Sequence, residues 1–384
     1  MYFTEEHVMF REGFRKFLET EVVPFIDTWE SQGEIDRSIW KKMGDQGYLG
    51  LAYPEKYGGL NLDIFYTVIF LEELQKINSG GFAAAAWAHV YLAMTHLHHE
   101  ASEEIKNVYL SKSISGDFLG CLCISEPFAG SDVAGIRTKA ILEGDYWIIN
   151  GSKTFITNGY LSDYLIVAAK TDSDKKAKGI SIFILERSMP GIHSNKLNKL
   201  GWRASDTAEI SFQNVKIPRS NLLGELNLGF NYLMEHFALE RLVMGINAHA
   251  RAEAALAYTL AYLDERKAFG KKINEFQTIR HQIAEMATEV EIVKQFNYQT
   301  ARRLGDAEYV VKEATMSKLK STKVADDVMY KCLQFLGGYG YIEDYPLARM
   351  FRDSRLGPIG GGTSEILKEI LAKIIIDKKN YKIT

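Results

Sequence analysis

The sequence predicts an α+β protein of three blocks: an N-terminal α-helical domain over residues 1–118, a central antiparallel β domain over 119–226, and a C-terminal α-helical bundle over 227–384. Three observations predict this order. Apolar residues have helical spacing in the first block, strand-like runs fill the second, and long helical stretches fill the third. With 384 residues the chain exceeds one usual hydrophobic core, so several packed units are expected.

Helices are expected throughout the first block. Apolar residues from Leu18 to Phe25 have approximate helical spacing. A further helix is predicted over Ile64–Lys76, with apolar residues on one face and glutamates opposite. The stretch Pro54–Gly59, which lies between these two helices, is predicted to form a turn.

The central block has the composition of β-strands. Strands are predicted over Tyr146–Ile149, Tyr164–Ala168, Ile180–Leu185 and Ala208–Phe212. Asn150-Gly151 and Asn158-Gly159 predict short hairpin loops, because both residue types tolerate positive φ. We therefore expect an antiparallel sheet and no parallel βαβ units.

The third block predicts a bundle of long helices. They are expected over Tyr232–Lys267, Phe276–Leu304, Ala307–Leu336 and Ser364–Asp377. Gly270, Gly305 and Gly337 lie beyond helix ends, where a left-handed residue is favoured. Thr363 or Ser364 can cap the last helix. Short loops between long helices favour antiparallel packing.

Charge and cysteine content narrow the possible functions. The formal net charge is -3, which gives no reason to expect nucleic acid as a partner. The chain has three cysteines, Cys121, Cys123 and Cys332, too few for a disulfide scaffold. Cys121 and Cys123 form a C-x-C pair, unlike zinc or thiol redox motifs, and we expect two small buried side chains on one strand face. No metal ligands are predicted.

No targeting segment or membrane span is predicted. The N-terminus is rich in glutamate and lacks an apolar core segment, and the longest apolar run, Phe82–Ala88, is too short to cross a bilayer. The expected location is the cytoplasm. Neither a G-x-G-x-x-G segment after a strand nor a Walker A motif is present, so a nucleotide cofactor would be held in another way.

Two motifs of the central block carry a family resemblance. Cys123 to Asp132 reads Cys-Ile-Ser-Glu-Pro-Phe-Ala-Gly-Ser-Asp, and Asn150 to Gly159 reads Asn-Gly-Ser-Lys-Thr-Phe-Ile-Thr-Asn-Gly. With the order of the blocks, they make the chain resemble the acyl-CoA dehydrogenases from end to end, nearest to the long-chain and isovaleryl-type branches. Further supporting segments are Ser205-Asp-Thr-Ala-Glu209, Leu223-Gly-Glu225, Glu265-Arg-Lys-Ala-Phe-Gly270 and Gly361-Gly-Thr-Ser-Glu-Ile366.

The resemblance implies an FAD site between the β domain and the bundle. Positions that match flavin contacts are Leu122, Ile124, Ser125, Ser131, Phe155, Ile156 and Thr157. Ser125 matches a hydroxyl that contacts the flavin ring, where a donor stabilises charge as the ring is reduced. Phe155 stands where relatives often have tryptophan; without the resemblance it is an ordinary strand aromatic.

Other matches imply that two subunits share the cofactor. Positions matching contacts across subunits are Arg266, Phe269, Gln277, Gln334, Gly337 and Gly338. Thr363 and Glu365 match the helix start over the FAD diphosphate, where free N–H groups suit phosphate. Taken singly, each match is also explained by helix capping or a surface ion pair. Together they imply a homo-oligomer, commonly a tetramer arranged as a dimer of dimers.

The implied reaction is α,β-dehydrogenation of an acyl-CoA to trans-2-enoyl-CoA, with medium to long chains expected and an electron-transfer flavoprotein as acceptor. Ser131 matches a residue that contacts CoA, and Arg241 matches one near its phosphoadenosine end. An N-cap serine and a solvated arginine are the plain alternatives. Gly360 and Gly361 lie where a backbone N–H can donate to the thioester oxygen.

The catalytic base is predicted at an unusual position. Many members of the family place the glutamate before Gly-Thr, but this chain has Gly361 there. The long-chain and isovaleryl branches place it in a Leu-Glu-Arg-Leu segment, which is Leu239-Glu-Arg-Leu242 here. Glu240 is therefore the predicted base, the alternative being a solvated glutamate paired with a cation.

Two further features bear on the acyl chain. Phe128 stands where relatives usually have a small residue, and it can pack under the loop or narrow the acyl tunnel. The run Phe82–Ala86 matches the tunnel-lining helix, although alanines also simply favour helix. Alternative functions are a branched-chain dehydrogenase of the isovaleryl type, a flavin monooxygenase, and a non-catalytic protein that binds flavin or acyl-CoA.

Overall fold

The computed structural model describes residues 2–379. Helices occupy the chain up to Ile114, strands follow from Gly120, and helices resume at Gly229. The predicted order of helices, sheet and helices is therefore confirmed. None of the helices in the described range combines the length and apolar character that a membrane crossing requires.

The N-terminal helices pack around one apolar core. They are α1 (Glu5–Glu21), α2 (Ile26–Gln32), α3 (Ser38–Asp45), α4 (Ile64–Lys76), α5 (Gly80–Ala88), α6 (Met94–Glu100), α7 (Glu103–Ile105) and α8 (Ser111–Ile114). The predicted helix over Ile64–Lys76 is confirmed as α4, which begins where the Asp63 carboxylate accepts the Phe65 N–H at 2.8 Å. The predicted turn is also present and ends at Gly58, whose φ is 93°.

The central block forms one eight-stranded sheet. Its strands are β1 (Gly120–Cys123), β2 (Lys139–Glu143), β3 (Tyr146–Ile156), β4 (Tyr164–Lys170), β5 (Ile180–Glu186), β6 (Ile192–Lys196), β7 (Ala208–Pro218) and β8 (Leu222–Leu223). The order across the sheet is β6-β7-β3-β2-β4-β5-β8, and β1 pairs with β4. The antiparallel prediction holds for most neighbours, but β1 and β4 are parallel, as is the short contact of β2 with β4.

Both predicted hairpins are wrong. Asn150-Gly151 lies inside β3, where Gly151 (φ 150°) forms a bulge against β7 and a Cβ would clash with Thr138. Asn158 has a φ of 60° and begins a turn, but β3 and β4 do not pair because β2 lies between them. Gly151 therefore forms a β-bulge, and Asn158 lies in the turn that connects β3 to the non-adjacent strand β4.

The C-terminal block contains long helices and a small hairpin. The helices are α9 (Gly229–Glu265), α10 (Gln277–Gly305), α11 (Val311–Leu336), α12 (Pro346–Ser354) and α13 (Ser364–Ile375), and the hairpin pairs β9 (Lys267–Ala268) with β10 (Lys271–Lys272). The predicted long helices are confirmed with small shifts at their ends, whereas α12 was not predicted. Gly270 and Gly337 have positive φ, but Gly305 is the last residue of α10 and does not. Thr363 caps α13, since its hydroxyl accepts the Ile366 N–H at 3.4 Å.

A buried carboxylate joins the first and third blocks. Glu72 of α4 contacts the Arg11 guanidinium at 2.8 Å, His249 Nε2 of α9 at 3.2 Å and the Tyr298 hydroxyl of α10. Burial acts to raise the pKa of Glu72, but the His249 hydrogen bond and the Arg11 charge lower it to about 2. These contacts hold α9, and with it the predicted base, in a defined position against the N-terminal helices.

The two cysteines of β1 are buried as predicted. Cys121 and Cys123 share one face of the strand, their Sγ atoms lie 3.6 Å apart, and both thiols are free. They pack in the apolar core on one side of the sheet, so β1 presents the intervening Leu122 to its other side.

Candidate active site

Glu240 lies on α9 beside a glycine-rich turn. Met244 follows it by one helical turn on the same face. That face meets Gly361, where an added Cβ would overlap the Met244 sulfur and come within 3.2 Å of Glu240 Oε1. The structure thus brings together Glu240 and Gly361, the two positions that the family resemblance gives for a base, and Gly361 has no space for a side chain.

Glu240 is half-buried. It has no hydrogen bond or ion pair with any residue in the described part of the chain, so the alternative of a solvated, paired glutamate is wrong. Burial raises its pKa, while the positive charges of Arg241 and Lys318 oppose this. A desolvated carboxylate with a raised pKa is a stronger base than an exposed one.

Lys318 of α11 is a site residue that the sequence did not reveal. It is fully buried, and its Nζ donates to the Gly362 carbonyl at 2.6 Å, which holds the glycine turn against α11. Burial lowers the pKa of Lys318 to about 8, although nearby Glu240 favours the charged form. No motif singled it out, since one lysine in a polar helix is typical of an exposed face.

Replacing Lys318 by Met should shift the pH profile of the enzyme. As the predicted base, Glu240 would act only when ionised, so activity should fall as pH drops through its raised pKa. Loss of the Lys318 charge raises that pKa further, and the acid limb of kcat/KM moves to higher pH. Lys320→Met, an exposed change on the same helix, should leave the limb in place. An unshifted limb in Lys318→Met would show that this charge does not act on the base.

Gly361→Ala should destabilise the protein. Its φ of 60° is unfavourable for alanine by about 1–2 kcal/mol, and overlap with Met244 adds about 1–3 kcal/mol. Urea unfolding of Gly361→Ala, Met244→Ala and the double variant measures this. We expect the double variant to be more stable than the sum of the single effects predicts, because the overlap is gone. Gly13→Ala is the control, because its new Cβ in helix α1 meets open space. If the effects of Gly361→Ala and Met244→Ala on the free energy of unfolding simply add in the double variant, the overlap is contradicted.

The segment Leu122–Ser131, which the family resemblance identifies as the loop that lines the flavin, is fastened to β3 by a buried ion pair. Lys153 is completely buried, and its Nζ donates to the Ile124 carbonyl at 2.9 Å and to Glu126 Oε1 at 2.8 Å. Thr154 N–H donates to the Ser125 carbonyl at 2.9 Å. The structure therefore brings the two family motifs side by side. Sequence reasoning missed the roles of Lys153 and Glu126, although both lie within the quoted motifs.

The Glu126 carboxylate accepts hydrogen bonds from three donors. Besides Lys153 it accepts the backbone N–H groups of Arg137 at 2.6 Å and Thr138 at 3.0 Å. Burial acts to raise the pKa of Glu126, but Lys153 and these hydrogen bonds hold it below the ordinary value. Burial lowers the pKa of Lys153, with Glu126 opposing. The Lys153–Glu126 pair therefore holds the chain at Ile124, through Lys153, and at Arg137 and Thr138, through Glu126.

The residues around this loop fit a flavin. Phe155 is 71% exposed and has a φ of 60°, which turns a large aromatic ring outward at the end of β3. Ser125 and Thr157 carry hydroxyls with no hydrogen-bond partner within residues 2–379, so both can donate to a ligand. Asn158 Nδ2 donates to the Ala85 carbonyl at 2.9 Å and ties the segment to α5. A free aromatic face flanked by free donors suits a planar heterocycle.

The remaining predicted residues of this loop differ in exposure. Leu122 and Ile124 are half-buried, Ile156 is buried, and Ser131 is exposed. Ser131 is not an N-cap, because Asp132 precedes the short turn that follows. That plain alternative is therefore wrong, and the role of Ser131 at CoA stays a prediction.

The residues predicted to contact a second subunit lie together on the surface. All of them are exposed: Arg266, Phe269, Gln277, Gln334, Gly337 and Gly338. The Arg266 guanidinium lies 5.9 Å from the Tyr339 ring centroid, and Phe269 is 96% exposed at a φ of 49°. So large an exposed phenyl ring is unusual unless another surface covers it.

Arg241 and Glu365 occupy contrasting environments. Arg241 is buried, lies 3.3 Å from Thr315 Oγ1 and faces the Phe237 ring, so the solvated alternative is wrong. Its assignment to the phosphoadenosine end of CoA stays a prediction. Glu365 is exposed in the first turn of α13, where hydrogen bonds to its own N–H and to Thr363 lower its pKa. Thr363 is used as the cap of the same helix.

The two features predicted to affect the acyl chain behave differently. Phe128 is 81% exposed under the Arg137 guanidinium, so packing beneath the loop is wrong. The run Phe82–Ala86 is fully buried in α5, and Phe82 stacks on Trp29 and Trp40. Its role in an acyl tunnel stays a prediction.

Comparison with known proteins shows the family of this chain. Family models for the acyl-CoA dehydrogenase N-terminal, middle and C-terminal domains match residues 4–117, 121–215 and 227–376. The long-chain specific acyl-CoA dehydrogenase, mitochondrial, of Rattus norvegicus is 39% identical over 97% of this chain and 87% of its own. The isovaleryl-CoA dehydrogenase, mitochondrial, of Pongo abelii is 38% identical over 96% of this chain and 88% of its own.

A solved structure extends the likeness to three dimensions. An acyl-CoA dehydrogenase from Geobacillus kaustophilus superimposes with a TM-score of 0.95 at 42% identity, over 98% of this chain and 99% of that one. The chain belongs to the acyl-CoA dehydrogenase family, whose members are FAD-dependent oxidoreductases. The resemblance inferred from the sequence motifs is confirmed.

Proposed function

We propose that this chain catalyses the FAD-dependent α,β-dehydrogenation of an acyl-CoA thioester, with Glu240 as the base. The observation that carries the proposal is the position of the Glu240 carboxylate. Glu240 is half-buried, its carboxylate bonds to no residue within 2–379, and it is directed at Gly361, where the family resemblance places the glutamate of many relatives. A medium- to long-chain acyl group is the proposed substrate class, following the long-chain relatives.

The residues divide the reaction between them. Glu240 removes the α-proton and keeps it, because desolvation makes the neutral acid stable. Gly360 N–H already donates to the Leu356 carbonyl at 2.9 Å, whereas Gly361 N–H has no backbone acceptor within residues 2–379. We therefore assign the thioester oxygen to Gly361, whose donor would stabilise charge there. FAD, when bound, supplies the acceptor for the β-hydrogen as hydride.

The same proposal includes a homo-oligomer, with a tetramer arranged as a dimer of dimers. The exposed Phe269, Arg266 and Gln277 support it, because the family resemblance directs them to the cofactor of a second copy. Sedimentation equilibrium of the FAD-loaded protein measures the mass. A monomer that retains FAD would contradict a shared cofactor site.

Anaerobic titration tests the substrate class. Palmitoyl-CoA and isovaleryl-CoA are added separately to FAD-loaded protein while the absorbance of oxidised flavin is followed. Bleaching by palmitoyl-CoA alone supports the long-chain assignment. Bleaching by isovaleryl-CoA alone supports the isovaleryl-type alternative, which the Pongo abelii relative favours. Tight binding of every acyl-CoA tested without bleaching would support a non-catalytic protein.

The electron acceptor is proposed from family membership. Mixing the substrate-reduced protein with an electron-transfer flavoprotein should reoxidise its flavin faster than oxygen does. Rapid oxygen consumption coupled to hydroxylation of the substrate would instead indicate a flavin monooxygenase. The cytoplasmic location stays a prediction.

A further inference from the structure

A second polar cluster shares no side chain with the residues assigned to dehydrogenation. It consists of His96 and Glu100 of α6 and His236 of α9. Glu100 Oε2 is 3.0 Å from His96 Nδ1, and Glu100 Oε1 is 2.7 Å from His236 Nε2. These ligand atoms lie within 4.8 Å of one another, and no other group of three such side chains within residues 2–379 converges in this way.

The cluster has the chemistry of a transition-metal site. Two imidazoles and one carboxylate are a ligand set that zinc uses when one coordination position stays open. Zinc bonds of about 2.0–2.2 Å in tetrahedral geometry place neighbouring ligand atoms roughly 3.3 Å apart. The Glu100–His96 and Glu100–His236 distances are slightly shorter than this. Small side-chain rotations that move the carboxylate away from the imidazoles would make room for an ion, which would replace the protons of these hydrogen bonds.

The helices direct these ligands at one point. His96 and Glu100 are four residues apart on α6, so their side chains lie on the same face. His236 approaches from α9, one turn before Glu240. The backbone also fixes the position of α6, because Glu100 O accepts the Gly224 N–H at 2.8 Å. Ligands from two separately anchored helices reduce the entropy lost when an ion binds.

An ion has a route to this cluster. Glu100 and His236 line an open cleft of about 380 Å³. His99, Glu225 and Glu235 line the same cleft, and the His99 ring lies 4.8 Å from the His236 ring. Carboxylates along the cleft attract a cation, and His99 is near enough to take the open position.

We propose that His96, Glu100 and His236 bind one divalent transition-metal ion of the zinc class, with the fourth position facing the cleft. The sequence predicted no metal because His236 is far along the chain from His96 and Glu100. A four-residue spacing of histidine and glutamate is common in helices, and only the packing of α6 on α9 completes the set.

Calorimetric titration of chelator-treated, FAD-loaded protein with zinc chloride tests the site. We expect one ion per chain for the wild type. His96→Gln/His236→Gln should weaken binding by more than about 100-fold, since losing outer partners of a metal site alone costs 10–100-fold. His193→Gln, an exposed change on β6, is the matched control and should bind zinc like the wild type. Retained flavin absorbance and circular dichroism check that each variant is folded.

Each result of these experiments either supports or overturns the proposed metal site. A wild type that takes up no zinc, or a double variant that binds it as tightly as the wild type, overturns the site. If the double variant does not fold, diffraction from zinc-soaked wild-type crystals at the zinc absorption edge locates the ion. An anomalous peak between His96 and His236 supports the proposal, and a peak only elsewhere overturns it.

Discussion

Glu240→Gln should lose between about 10² and 10⁴ of the rate of flavin reduction, the range that general acid–base groups contribute. Glutamine nearly preserves shape and burial but cannot accept the α-proton. FAD content and acyl-CoA affinity should change little, because the carboxylate bonds to no residue in the described part of the chain. Stopped-flow reduction with the acyl-CoA that bleaches the wild type measures the rate.

The same Glu→Gln substitution at an exposed site tests whether the loss of rate is specific to position 240. Glu285→Gln removes an exposed carboxylate of α10 and should reduce its flavin at the wild-type rate. If Glu240→Gln also kept the wild-type rate with full FAD, another residue would have to be the base. Gly361 cannot take that role, so the proton-transfer scheme would fail as a whole.

Lys153→Met should destabilise the protein by about 3–5 kcal/mol, because it leaves the buried Glu126 carboxylate without its cation. FAD should also be lost more easily, since Lys153 holds the Ile124 carbonyl next to Ser125. Urea unfolding gives the free energy, and flavin released on gel filtration reports cofactor retention.

Two comparisons identify the cause. Lys41→Met removes an exposed ion pair with Asp45 and should destabilise the protein far less than Lys153→Met. Lys153→Met/Glu126→Gln should be more stable than Lys153→Met, because no unpaired charge remains buried. Equal stability of the single and double variants would show that packing, and not charge, dominates at Lys153.

Local patterns predicted the helices well and the sheet less well. Ile64–Lys76 and the four long C-terminal helices follow from helical spacing, a property of adjacent residues. Asn150-Gly151 misled because Asn-Gly signals positive φ, and positive φ serves a bulge as readily as a hairpin. Which strands pair depends on contacts between distant residues, which a single sequence does not display.

The candidate site was also predicted only in part. Glu240 was predicted from its motif, and the structure adds why Gly361 must stay small. Lys153 and Lys318 were missed because lysine is mostly exposed in proteins. Their burial depends on partners distant in sequence, Glu126 and the Gly362 carbonyl.

The junction at Glu72 has a consequence for how the molecule comes apart. A fragment containing only the N-terminal helices would keep Glu72 and Arg11 but lose His249 and Tyr298, and its buried carboxylate would face water. The first and last parts of the polypeptide are therefore mutually dependent for stability. A proteolytic nick between them need not release either piece, and heat should melt both in one cooperative transition.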